Sequence, residues 1–241
     1  MEKPFLTAAW RFLVMANYDI DPALLAPWVP HGTELDPFEG RALISVVGFL
    51  FQDTKIKGYT VPWHRNFEQV NLRFYVKKRH QGGWRRGVVF LRELVGKRAV
   101  VWIAKRCYGE PYRRVPIEHR IVTRPLSGSV MEVAYRWWIT SQENRLHAQF
   151  QGAPQFPVEA TEPHFIIEHY WGYTTRTTGI TQEYQVTHPP WRIWVPTSYE
   201  VAFPSAASLW GRDVADVVTQ KPRSVLVSEG SSVVVFSGHC I

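Results

Sequence analysis

Proline and glycine interrupt this chain at short intervals from end to end, 17 prolines and 16 glycines in 241 residues. Short β-like apolar runs fall between them, and that pattern excludes long helices and points to a β-dominated fold. The runs ALISVVGFLF (42–51) and AVVWIA (99–104) are continuously apolar, as expected of strands buried on both faces. The segment VVFLRELV (88–95) would join 99–104 through a turn at Gly96-Lys97. Further strands are expected at 67–78, 131–140, 145–151, 164–170, 182–188, 191–195, 224–228 and 232–237.

Two helices are expected. Asp21-Pro22 is an N-cap followed by proline at the first helical position. The second lies between Ser205 and about Val218, with Gly211 placed to split it. So many strands with so few helices predict a barrel, or a pair of packed sheets around an interior. The chain is expected to form one domain over residues 1–241.

The apolar runs are strand-length, far short of the roughly 20 residues that a membrane span needs. The N-terminal MEKPFLTAAWRFLVMA is broken by Arg11 and lacks a charged head, so it is a poor signal peptide. The two cysteines, Cys107 and Cys240, form no disulfide framework, and a reducing, cytoplasmic setting is expected.

Charge is unevenly distributed. Residues 65–124 hold 16 lysines and arginines against 4 acids, whereas the whole chain carries +7. Such a block can draw acidic small molecules to a pocket, bind nucleic acid through interleaved aromatics such as Trp84 and Tyr112, or simply be a solvated face.

FEQVNLRFYVKK (67–78) carries the main candidate. Alternation along a strand puts Phe67, Gln69, Asn71, Arg73 and Tyr75 on one face and Glu68, Val70, Leu72, Phe74 and Val76 on the other. Glu68 is thus in line with four apolar residues. A carboxylate aimed inward needs a partner or a raised pKa, and then serves as a pocket acid or base. It could equally mark a wet strand start or pair with a structural arginine. Arg73, on the opposite face, is the weaker pocket candidate. KRCYGEPYRRVPIEHR (105–120) turns at Gly109 and Pro111, and crowds Tyr108, Tyr112 and Arg113 where a pocket wall is natural. In HFIIEHYWGYT (164–174), His164, Glu168 and His169 do not converge on a strand, so a metal is not expected; His169 is a pocket-lining candidate or a core histidine. Cys107 beside Arg106 has no identifiable base, and Lys105, at the end of an apolar run, is either a desolvated Schiff-base lysine or, beside Arg106, a snorkelling one. No Walker loop, dinucleotide fingerprint or G-x-S-x-G elbow occurs, and no cofactor is expected.

Taken in order, Trp10-Arg11, D-P-x-x-L, G-x-x-L-D-x-F-x-G-R-A (32–42), F-E-x-x-N-L-R-x-Y-V, Y-G-x-P-Y (108–112), E-H-Y-W-G-Y and S-V-L-V-S-E-G-S-x-V-V-V (224–235) resemble the YqjF-like family of bacterial proteins. That family is placed beside acetoacetate decarboxylase in one superfamily. The resemblance implies a cone-like β barrel of antiparallel strands around a mostly apolar pocket, and makes a homo-oligomer an expectation. The decarboxylase carries its Schiff-base lysine in a G-[FY]-P-K-K turn, with a glutamate on an earlier strand. Here the matching turn reads Gly109-Glu110-Pro111-Tyr112-Arg113, and the resemblance puts Glu68 where the strand glutamate would be. Arginine forms no imine. The implied function is a small-molecule pocket for an organic acid or ketone, lined by Glu68, Arg73, Tyr108, Tyr112, Arg113 and His169, without decarboxylation. The alternative is a hydratase, lyase or isomerase with Glu68 as base and Tyr112 as acid.

Overall fold

The computed structural model describes residues 4–60, 64–97, 111–124, 128–176 and 179–241. Its strands are, in chain order, β1 (Pro4–Ile20), β2 (Glu34–Leu35), β3 (Ala42–Ile56), β4 (Tyr59–Thr60), β5 (Phe67–His80), β6 (Gly83–Val95), β7 (Tyr112–Arg114) and β8 (Ile117–Thr123). There follow β9 (Val130–Ile139), β10 (Gln142–Gln149), β11 (Trp171–Thr175), β12 (Thr181–Thr187), β13 (Ile193–Trp194), β14 (Ser198–Ala202), β15 (Ser224–Phe236) and β16 (His239–Cys240).

Seven strands close on themselves in the order β15-β1-β3-β5-β6-β11-β12, with β12 returning to β15 through Val186↔Val235 and Thr187↔Val234. Within this ring only β6 and β11 run parallel, meeting through Trp171↔Gly87 and Gly172↔Val88. Closure removes the sheet edges that would otherwise invite aggregation. A second antiparallel sheet, β14-β10-β9-β8, covers part of the barrel's outer wall. Val14, Ile44, Val46, Val70, Leu72 and Phe74 on the barrel pack with Val133, Tyr135, Trp137 and Leu146 of that sheet. Gly48 makes the approach possible, because a Cβ there would lie 2.7 Å from the Tyr135 ring.

Barrel strands therefore have two apolar faces, one toward the lumen and one toward the second sheet. Two bulges change which residues are which. In β1 the register shifts between Arg11 and Val14, and Phe12 has φ +55°. Trp10 faces inward before the bulge, Leu13 and Met15 after it. In β6, Leu72 pairs with Arg92 and Arg73 with Phe90, leaving Leu91 as the extra residue. Val88 and Phe90 point inward before that bulge, and Glu93 and Val95 after it.

The helical expectations hold in detail. The Asp21 carboxylate accepts from Ala23 N at 2.9 Å, capping helix Pro22–Leu25. The later helix is split at Gly211 into Ala206–Trp210 and Arg212–Val218. Three expectations are corrected. The strand expected at 164–170 is helix Glu162–Ile167, which buries Phe165, Ile166 and Ile167; an apolar run this short is compatible with either element. The strands expected at 224–228 and 232–237 are one, β15, continuing through Gly230 at φ +72°. The 17-residue β1 was not expected at all, because its bulge breaks the alternation that marks a strand. The strand expected at 99–104, and Lys105 and Cys107 beyond it, lie outside the described residues.

Candidate functional site

The barrel encloses a cavity of about 110 Å³. That is room for a few waters, or one small organic molecule. Most of its wall is apolar, from Trp10, Leu13, Val47, Phe49, Val88 and Phe90. Polar groups enter from β5, where alternation places Gln69, Asn71 and Arg73 on the lumen side in succession. The lining is therefore an apolar body with a few fixed polar groups, the usual make-up of a small-molecule site.

Arg73 is only 9% exposed. Its Nη2 donates to Ile166 O at 3.3 Å and lies 3.9 Å from Met15 Sδ. Its Nε has no hydrogen-bond partner. No carboxylate among the described residues forms an ion pair with it; Glu93, buried on the same lumen wall, takes Gln69 Nε2, and two other buried acids are paired with other cations. Asp36 takes Arg86 Nε at 2.6 Å, and Glu183 takes Arg85 Nη1 at 2.5 Å and Lys78 Nζ at 3.2 Å. A buried cation without a counter-charge is costly and rare.

Around Arg73 the lumen is aromatic. Its guanidinium stands 5.7 Å from the Tyr75 ring centroid, and the His169 ring stands 4.7 Å from that same ring. The His169 side chain is 2% exposed and lies just beyond helix Glu162–Ile167, with Nε2 3.5 Å from Asp36 Oδ2. Burial drives its pKa down to about 4, against the opposing pull of Asp36, so the ring is neutral. Burial alone would raise Asp36, but hydrogen bonding and charge from His169 and Arg86 hold it below the usual carboxylate range. Along the lumen, Gln69 Nε2 donates to Glu93 Oε1 at 2.7 Å, and Tyr112 Oη donates to Gln69 Oε1 at 3.3 Å.

Of the sequence candidates, the structure brings Arg73, Tyr112 and His169 to one cavity. Arg113 is exposed and does not line it. Tyr108 lies outside the described residues. Glu68 is corrected. Its face of β5 packs toward the second sheet, and its Oε1 sits 2.8 Å from His119 Nδ1 of β8. Burial tends to raise its pKa, but the His119 hydrogen bond and the Lys97 charge outweigh that and leave it lowered. Glu68 and Tyr112 are therefore not assembled as a base and acid around one substrate. Sequence reasoning also missed Glu93 and Asp36. Alternation alone puts Glu93 outside, and the Leu91 bulge turns it in; Asp36 was visible only as a letter of the 32–42 motif.

Arg73 lies in the lumen, Lys77 pairs with Glu34, and Lys78, Arg85 and Arg86 pair with buried acids. Among the described residues no group of three His, Cys, Asp or Glu is placed to hold a metal. No helix among them is long and apolar enough to cross a membrane.

Comparison with known proteins agrees with this architecture. The profile of the family DUF2071, described as an uncharacterized conserved protein, matches residues 7–232. Uncharacterized protein YqjF of Bacillus subtilis (strain 168) is 25% identical over 190 residues, covering 76% of this chain and 72% of its own. Acetoacetate decarboxylase from Legionella pneumophila subsp. pneumophila str. Philadelphia 1 superposes with a TM-score of 0.67 at 12% identity, over 99% of this chain and 87% of that one. The enduracididine biosynthesis enzyme MppR, in its complex with pyruvate, superposes with a TM-score of 0.68 at 14% identity, over 100% and 91% of the two chains. These structures share the fold, an acetoacetate decarboxylase-like barrel.

Proposed function

The chain belongs to the DUF2071 family of uncharacterized conserved proteins, and from that premise we propose that its barrel binds a small organic acid, the carboxylate held by Arg73. One observation carries this reading: Arg73 is a buried guanidinium in an apolar lumen with no carboxylate partner among the described residues. Arginine grips a carboxylate through two parallel hydrogen bonds, and Arg73 Nε is a donor without a partner. MppR, on the same fold, is known in complex with pyruvate. The Schiff-base chemistry of a decarboxylase is not part of the proposal. The turn that carries the lysine pair in the decarboxylase reads Tyr112-Arg113 here, and no lysine lines the cavity among the described residues.

Titration calorimetry with short-chain acids and their methyl esters tests the reading. The acids bind and the esters do not. Equal binding of acids and esters, or no binding of either, refutes it. Borohydride treatment with acetoacetate leaves the protein mass unchanged; a reduced adduct would restore the imine chemistry.

A further inference from the structure

The proposed acid site contains a second polar group that its carboxylate anchor leaves unused. His169 lines the same cavity as Arg73, and its Nδ1 has no hydrogen-bond partner. The two side chains are close: both stand against the Tyr75 ring, and Arg73 bonds the carbonyl of Ile166, three residues before His169. Asp36 Oδ2 lies 3.5 Å from the imidazole Nε2. Asp36 is ionised, because Arg86 Nε donates to that same oxygen at 2.6 Å. An ionised carboxylate only accepts, so the nitrogen facing it carries the proton. Nε2 is then N–H, and Nδ1 is a bare lone pair. A buried acceptor without a donor is costly, and a ligand that supplies the donor gains affinity by satisfying it.

We infer that His169 reads the substituent next to the ligand's carboxylate, and that the site takes a 2-hydroxy acid with a short apolar tail, its hydroxyl donating to His169 Nδ1. A 2-oxo group offers only lone pairs and meets another lone pair. A 2-ammonium group would have to lose its hydration beside the Arg73 guanidinium. The tail would lie against Leu13, Val47, Phe49 and Phe90. This assignment rests on Arg73 as the carboxylate anchor.

The test uses three acids of one skeleton: 2-hydroxy-4-methylpentanoate, 2-oxo-4-methylpentanoate and 4-methylpentanoate, each titrated into the full chain by calorimetry. The hydroxy acid binds about tenfold more tightly than the unsubstituted acid, the size of one satisfied hydrogen bond, and the oxo acid binds no better than the unsubstituted one. His169→Phe removes the difference and keeps the affinity for 4-methylpentanoate. Equal binding of all three, or a preference for the oxo acid, overturns the role of His169 and leaves the Arg73 reading standing. No binding of any acid overturns both. Long-range proton–nitrogen NMR of the histidines in the unmutated protein decides the tautomer without a variant. Nδ1 is expected bare and Nε2 protonated, and the reverse assignment overturns the inference.

Discussion

Replacing Arg73 by methionine separates a ligand anchor from a structural arginine, because the two predict opposite changes in stability. In the folded protein Arg73 gains one hydrogen bond, Nη2 to Ile166 O at 3.3 Å, and a 3.9 Å contact with Met15 Sδ. A bond of that length to a charged donor contributes about 1.5 kcal/mol, and the Tyr75 ring 5.7 Å from the guanidinium about 0.5–1 kcal/mol. Against these stand several kcal/mol for taking an ion out of water, and about 1–3 kcal/mol for the unpartnered Nε. Methionine has similar reach, fills the space above Tyr75 and carries no charge. Arg73→Met is therefore expected to raise stability by about 1–2 kcal/mol. At roughly 2–4 °C per kcal/mol for a chain of this size, that is about 2–8 °C in melting temperature. It should also weaken acid binding by about 2–5 kcal/mol, or roughly 30- to 4,000-fold, since a buried charge pair loses one partner. Differential scanning calorimetry and titration calorimetry on the same samples read both quantities. A fall in melting temperature of several degrees with unchanged urea m-value would show that Arg73 holds the barrel together, and would refute the reasoning.

Other expectations follow from the same geometry. Glu183→Gln strips the counter-charge from Lys78 and Arg85, whose side chains keep 20% and 24% exposure; a loss of about 2 kcal/mol is expected by urea denaturation, below the 3–5 kcal/mol of a fully buried pair. Burial raises the Glu183 pKa, but Tyr173, Lys78 and Arg85 together hold it below its ordinary value. Its stabilisation is thus present above the ordinary carboxylate range and is lost as pH falls through the depressed value. His169 adds a loss at higher pH. Its pKa is about 4 when folded and about 6.5 when unfolded, so the unfolded chain binds the extra proton between these values and stability declines from about pH 6.5 down to 4. His169→Phe should flatten that limb in a series of melts against pH, and an unchanged limb would assign it elsewhere. Glu68→Gln breaks a half-exposed pair with His119, so less than about 1 kcal/mol of stability and no acid affinity should be lost; a selective loss of affinity would return Glu68 to the site. Gly230→Ala should cost about 3 kcal/mol or more, because its φ is +72° and a Cβ there would collide with the Trp10 carbonyl on the neighbouring strand; a melting temperature like that of the unmutated protein would contradict the β1–β15 pairing.

Local chemistry was legible in the residues themselves. Proline and glycine spacing marked a strand-rich chain, Asp21-Pro22 marked a helix start, and Gly211 marked a break between two helices. Alternation correctly sorted residues 67–76 into two sets, with Gln69, Asn71, Arg73 and Tyr75 apart from Glu68, Val70, Leu72 and Phe74. It did not tell which set faces the lumen. Both faces of β5 are buried, one by the barrel and one by the second sheet, so hydropathy gives no contrast between them. The apolar face, whose four apolar residues make Glu68 read as an inward-aimed pocket acid, is the one that packs on β8–β10 and their neighbours. Tertiary structure alone decided the bulges at Phe12 and Leu91, since an extra residue in one strand is defined only against the strand beside it. It decided the barrel's closure through two residue pairs between β12 and β15, which no local pattern encodes. It also decided the site. Arg73 on β5, Asp36 before β3 and His169 after a helix that had read as a strand are far apart in the chain, and they meet only because the ring of strands closes around them.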